Sequence, residues 1–217
     1  MHDDGNRDEV LRRLERWRAN RDPEALGYLL KWQRDRAYAT ALRILRHSAD
    51  AEDAVQHSFI KLMSRTQGFE NPETFKLAVY RAVVQCALDM ARANRVRSNL
   101  EKAMIPLERT HSIPQLAAEQ AEALQQVWSE LNAMPEESRA LVVLCYQDGL
   151  SVSDAAEVLN VPRETLRDRL AAAMTELRQK LNQRGMKVSL LLLVTLLNPL
   201  ASGSVLAAPA SLCEALD

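Results

Sequence analysis

The chain has 217 residues, 47% of them apolar and only six of them Gly, with 28 basic against 29 acidic side chains. That length holds one large or two small domains with real cores, and few aromatics with much Ala, Leu, Arg and Glu favour an all-α protein. A net charge of −1 argues against a protein that coats DNA by bulk electrostatics, while leaving room for local basic surfaces.

Residues 8–21 carry Val10, Leu11, Leu14 and Trp17 at helical spacing, among charges. A second helix is expected from Pro23 to Arg46, its apolar face made by Leu26, Leu29, Leu30, Tyr38, Leu42 and Leu45. In "HSADAEDAVQHSFIKLMSR", Ser48 or Asp50 can cap a helix whose apolar stripe is Val55, Phe59, Leu62 and Met63. Its other face shows Glu52, Asp53, Gln56 and His57. The loop "TQGFENPETF" closes with Asn71 as cap and Pro72 at the first helical position. The helix it opens is expected to reach Arg97, with Phe75, Val79, Val83, Cys86 and Met90 inward and Arg81, Gln85, Asp89 and Arg92 on another face.

Periodicity weakens from Val96 to Gln120, where Pro106 and Pro114 interrupt it, so this stretch reads as a linker. Beyond it, Leu124, Val127, Trp128 and Leu131 mark a further helix. Another opens at Pro135, with Glu136 and Glu137 in its first turn, and stops at Gly149.

"SVSDAAEVLNVPRETLRDRL" has the form of two short helices over a tight turn, Ser153–Leu159 and Arg163 to about Leu177. Ser151 or Ser153 can cap the first, small Ala156 sits at the crossing, and Asn160 suits a left-handed turn residue. Val161, Leu166 and Leu170 hold the second helix across the first, leaving Arg163, Glu164, Arg167, Asp168 and Arg169 outside, where a recognition helix meets the major groove. Spacing alone fits an ordinary helical hairpin as well as it fits a DNA reader.

Cys86, Cys145 and Cys213 are far apart, without a CxxC, and read as small apolar residues of a reducing compartment rather than as disulfides or metal ligands. His2, His47, His57 and His111 are scattered. With no Ser/His/Asp grouping, phosphate loop or HExxH, no catalytic residue, metal site or cofactor is expected. The polar N-terminus carries no signal-peptide pattern.

Taken together, "DAEDAVQHSFIKLM", "FKLAVYRAVVQCALDMAR" and the stretch from "LNAMPEESRALVVLCYQDGLS" through the helix pair to Leu181 resemble, in order, a bacterial sigma-70 family RNA polymerase sigma factor of the extracytoplasmic-function (ECF) type. The resemblance covers Pro23 to Gln183. It implies a function as well: binding core RNA polymerase and directing promoter-specific initiation. Asp50, Glu52, Asp53, Gln56 and Phe59 would face the polymerase, with His57 where Glu is usual. Phe69, Arg81, Gln85, Arg92 and Arg95 would handle the −10 element as a single strand, which needs basic residues along the backbone and a pocket for an unstacked base. Ala78 replaces a usual Trp there, and Gln85 a usual Asn. Arg163, Glu164, Arg167, Asp168 and Arg169 would read the −35 duplex, with Ala172 where Arg is common.

The implied organisation is a helical extension (1–22), a region 2-like domain (23–98), a linker (99–120), a region 4-like helix-turn-helix domain (121–183) and an apolar extension (184–217). Partners would be core polymerase, promoter DNA and an anti-sigma protein, in the cytoplasm. The uncharged stretch 188–213 is long enough for a membrane span at about 20 residues and follows basic residues. Asn198-Pro199 interrupts it and Ser202-Gly203-Ser204 dilutes it, which favours a fold-back over the two domains that could mask a polymerase- or DNA-binding surface. The competing function is a stand-alone helix-turn-helix regulator, which predicts tight DNA binding without polymerase.

Overall fold

The computed structural model describes residues 3–64, 69–100, 118–186 and 197. Everything regular among them is helical: α1 (Asp3–Asn20), α2 (Pro23–Leu45), α3 (Ser48–Met63), α4 (Pro72–Leu100), α5 (Ala118–Ala133), α6 (Glu136–Val142), a π-helical turn (Val143–Gln147), α7 (Val152–Leu159) and α8 (Arg163–Gln183). The central part of the linker (101–117), the loop residues 65–68, Cys213 and the apolar stretch 188–213, apart from Leu197, lie outside the described residues.

The helix starts follow from side chains that take up orphan backbone donors. Asp22 Oδ1 accepts from the amides of Glu24 (3.0 Å) and Ala25 (3.4 Å), and Pro23 occupies the first helical position of α2. At α4, Asn71 Oδ1 accepts from Thr74 N at 2.9 Å while Thr74 Oγ1 accepts from Asn71 N at 3.0 Å, a reciprocal cap. The α3 cap is His47 rather than Ser48 or Asp50: its ring Nδ1 accepts from Asp50 N at 3.3 Å. Helix α2 ends at Arg46, in the left-handed region at φ 66°, whose amide donates to the Leu42 carbonyl.

Helices α1–α4 close around Leu14, Leu29, Leu30, Ile44, Phe59, Leu62, Phe75 and Val83, all 2% exposed or less. Two expected inward residues point out instead. Leu11 is 38% exposed and Met63 53%, because each lies at the edge of its stripe. Helices α5–α8 form a second group around Leu131, Leu144, Leu166, Leu177 and Leu181. The two groups pack on one another: Arg46 Nη1 donates to the Asn132 carbonyl at 2.9 Å, and the Arg43 guanidinium lies 5.3 Å from the centre of the Trp128 ring.

Candidate functional site

Helix α3 turns Ala51, Ala54, Val55, Ser58, Phe59 and Leu62 inward. That leaves Asp53 and His57 exposed, with Asp50, Glu52 and Gln56 half-buried beside them. The His57 ring Nδ1 lies 2.7 Å from the Asp53 carbonyl, one turn back. Next to this acidic and amide-bearing face, Ile60 and Met63 are 63% and 53% exposed. Charged, amide and apolar groups on one exposed face suit a protein partner. Phe59 needs correcting as a contact residue. It is 2% exposed, because its position on the apolar stripe sends it to the core.

Helix α4 buries Phe75, Val79, Tyr80, Val83, Val84 and Ala87. Arg81, Gln85, Arg92 and Arg95 form one stripe, since steps of 4, 7 and 3 residues keep them within roughly a quarter of the helix circumference. Gln85 and Arg92 line a groove of about 630 Å³ between α3, α4 and α7, together with His57, Lys61, Asp89 and Asn160. Arg92 Nη1 also donates to Asp89 Oδ1 at 2.9 Å. Phe69 does not belong to this face and is the second correction. It is 5% exposed and meets Phe75 edge-on, with ring centres 4.9 Å apart and planes at 79°. Its ring fills the core end of the loop and offers no face to a base.

The helix pair has the form its sequence announces. Ser151 Oγ caps α7 by accepting from Asp154 N at 3.1 Å, and Asn160 takes φ 54°, ψ 47° in the turn. Ala156, Leu166 and Leu170 are buried at the crossing. Arg163, Glu164, Arg167, Asp168 and Arg169 are all exposed. Arg167 Nη2 sits 2.5 Å from Glu164 Oε2, with Asp168 3.9 Å from its Nε. Arginines and carboxylates side by side on an exposed helix can present donors and acceptors to base edges in a major groove.

The contacts that join the two helix groups are ones sequence reading missed. Arg81 Nη2 lies 2.7 Å from Glu157 Oε1 and 3.1 Å from the Glu157 carbonyl. Arg92 Nη2 lies 3.1 Å from Glu137 Oε1, and Arg95 Nη2 lies 2.5 Å from Glu136 Oε2. Deeper in, Arg139 is 3% exposed. Its Nη1 donates to the carbonyls of Asn132 (3.0 Å) and Met134 (3.1 Å), and its Nη2 to that of Ile44 on α2. Burial, then the neighbouring Arg46, lowers its pKa to about 10, so it stays charged at neutral pH. Thr40 on α2 meets Asp148 at the end of the π-helical turn, 2.8 Å away. Only the intrusion of Arg139 and Asp148 into the apolar run "RALVVLCYQD" hinted at this interface.

Cys86 and Cys145 are free and half-buried. Burial raises both thiols, that of Cys145 to about 11, which leaves them weak nucleophiles. No group of His, Cys, Asp and Glu able to hold a metal occurs among the described residues.

Comparison with known proteins gives this arrangement its context. Residues 33–97 match the family model described as Sigma-70 region 2, and residues 124–177 the one described as Sigma-70, region 4. Together they take in more than half of the chain. The ECF RNA polymerase sigma factor SigE of Mycolicibacterium smegmatis is 30% identical over 158 residues, 70% of this chain and 60% of that protein. SigW of Bacillus subtilis, also an ECF RNA polymerase sigma factor, is 24% identical over 169 residues, 74% of this chain and 90% of that one. Among solved structures, the sigma factor RpoE in complex with the anti-sigma factor NepR from Bartonella quintana shares the fold. Its TM-score is 0.57 at 19% identity, over 73% of this chain and 95% of that one. The two family models, matched one after the other over more than half of the chain, together with these relatives place this chain in the sigma-70 family of RNA polymerase sigma factors, in its ECF branch.

Proposed function

We propose that this chain binds core RNA polymerase and directs initiation at promoters carrying its −10 and −35 elements. The observation that carries the reading is one chain holding, in order, an exposed acidic and amide-bearing face on α3, an arginine stripe on α4 and an exposed recognition face on α8. The region 2-like unit (23–98) uses Asp50, Glu52, Asp53 and Gln56 toward the polymerase and Arg81, Gln85, Arg92 and Arg95 toward the −10 strand. Phe59 and Phe69 support these faces from inside. The region 4-like unit (121–183) reads the −35 duplex through Arg163, Glu164, Arg167, Asp168 and Arg169. The chain acts as an initiation factor in the cytoplasm, and RNA synthesis belongs to the polymerase. An anti-sigma protein is a further partner, as NepR is for the Bartonella factor.

No helix among the described residues is long and apolar enough to cross a membrane. Leu197 is helical and 2% exposed, within the hydrophobic core. That supports a fold-back of the C-terminal extension over its insertion in a bilayer.

The test is reconstitution. Core polymerase is mixed with the full chain and with a chain ending at Arg184, and co-elution and run-off transcription are followed. Co-elution and promoter-dependent transcripts are expected. If neither chain co-elutes, the α3 face has no polymerase partner and the assignment falls. Stronger binding by the shortened chain identifies the extension as a mask.

A further inference from the structure

Cys86 and Met90 stand one turn apart on α4, half-buried, with Sγ and Sδ 3.9 Å from each other. Both line the groove between α3, α4 and α7, and so does His57 of α3. Promoter recognition gives neither sulfur a role. The imidazole is set up as a ligand. Its Nδ1 lies 2.7 Å from the Asp53 carbonyl, and a carbonyl only accepts, so in the neutral ring Nδ1 carries the hydrogen and Nε2 keeps its lone pair. A backbone carbonyl on one ring nitrogen is the common outer partner of a histidine that binds metal through the other.

We propose that Cys86, Met90 and His57 form a binding site for one soft monovalent metal ion of the copper(I) class, bridging α4 and α3. Thiolate and thioether sulfur select soft ions, and imidazole suits copper as well. At a metal–sulfur bond of about 2.3 Å, two sulfurs 3.9 Å apart subtend about 115°. That is a trigonal angle, which leaves a third position for nitrogen.

Charge narrows the class further. Burial raises the Cys86 pKa, Asp89 and Asp53 raise it too, and Ser58 and Lys61 pull the other way. A monovalent ion on the thiolate makes a neutral pair, which a half-buried site tolerates better than a net charge. The two carboxylates favour a cation beside them. No group of His, Cys, Asp and Glu among the described residues could hold a metal, so the thioether decides the choice. Magnesium, calcium and manganese want oxygen donors, and zinc lacks the four ligands of a closed tetrahedral site. On loading, the thiol proton passes to solvent and a metal–sulfur bond replaces it, so affinity climbs with pH. The ion enters and leaves as copper(I), with no change of oxidation state.

The experiment uses the full-length chain, reduced and free of oxygen. Copper(I) is titrated in competition with bicinchoninate, ions are counted by native mass spectrometry, and X-ray absorption reports the ligand shell. One ion per chain is expected, with two sulfurs and one nitrogen around it. Cys86→Ser should abolish binding, while Met90→Leu and His57→Gln should each weaken it by about tenfold or more. The pair Cys145→Ser/Cys213→Ser should bind as the natural chain does. Thermal melts check each variant, and the Met90 and His57 changes keep the test decisive if Cys86→Ser fails to fold. Natural-chain affinity that survives both Met90→Leu and His57→Gln would reduce the site to a bare thiol and overturn the proposal. So would loss of the ion in the Cys145/Cys213 pair alone, or a natural chain that takes no copper from bicinchoninate.

Discussion

The Thr40 hydroxyl lies 2.8 Å from Asp148 Oδ2 and 2.9 Å from the Arg36 carbonyl. It has one proton and two acceptors in reach. With Asp148 ionised, Thr40 donates to its Oδ2; once protonated, Asp148 can donate to Thr40 Oγ1 instead and leave the Thr40 proton to the carbonyl. Burial raises the Asp148 pKa to about 7, outweighing Thr40, Arg43, Lys76 and Arg36, which favour the carboxylate. Below about pH 7 Asp148 thus carries a proton at the interface that it would release when the helix groups separate.

That proton sets a direction for pH. In an open or unfolded chain the carboxyl returns to near 3.9, so between there and about 7 the closed form binds the extra proton. The closed form gains stability from it at low pH and loses that gain as pH rises through this window, with no further change above it. Asp148→Asn keeps the neutral form at every pH. Its melting temperature relative to the natural chain should therefore rise from pH 5 to pH 8. Parallel pH profiles for the two chains would refute the assignment.

Asn160 makes the turn of the helix pair at φ 54°, ψ 47°. A left-handed backbone costs ordinary L-residues roughly 1–2 kcal/mol. Asn160→Ala should destabilise the chain by about 1 kcal/mol in urea unfolding, while Asn160→Gly should be tolerated. Equal losses for the two would mean that the Asn side chain matters, and not the backbone angle.

Such turn and cap residues were legible in the sequence, the α3 cap His47 excepted. Asn71 with Pro72, Ser151 and Asn160 each act within three or four positions, so their chemistry is local and can be read from a string. The apolar stripes of α1 to α4 were legible for the same reason, failing only at edge positions such as Leu11 and Met63. Phe59 and Phe69 were misread because a family pattern says which positions matter without saying which way they face. The pairs Arg81–Glu157, Arg92–Glu137 and Arg95–Glu136 were out of reach. In sequence each partner looks like one more charge on a solvated helix, and only packing brings positions 76, 45 and 41 residues apart together.

Surface and core residues on α3 should separate cleanly. Phe59→Ala removes a ring that is 2% exposed and should cost about 3–5 kcal/mol, seen as a large loss of melting temperature. Asp53→Ala with Gln56→Ala should leave the melt nearly unchanged and weaken co-elution with core polymerase. A stable double variant that still co-elutes normally would remove this face from the polymerase interface.

The recognition face of α8 offers the corresponding test on DNA. Arg163, Arg167 and Arg169 are exposed, so single Ala substitutions should shift stability by no more than about 0.5 kcal/mol. Each arginine that pairs bidentately with a base should cost about 1–3 kcal/mol of discrimination at its position. Run-off transcription from templates mutated base by base in the −35 element would show it. Uniform loss across all templates would instead identify a phosphate contact.

Arg81, Arg92 and Arg95 keep 40%, 61% and 58% of their side-chain surface in water while paired. If α4 takes the promoter strand as proposed, an arriving strand can touch each guanidinium before its carboxylate departs, as an entering ligand meets a metal ion before the leaving one has gone. Exchange of this kind is associative. Contacts are handed over one at a time, and the helix groups need not first part unaided. The rate of engagement then climbs with strand concentration instead of levelling off at a spontaneous opening rate. The guarded surface can be quiet at rest and still quick to respond.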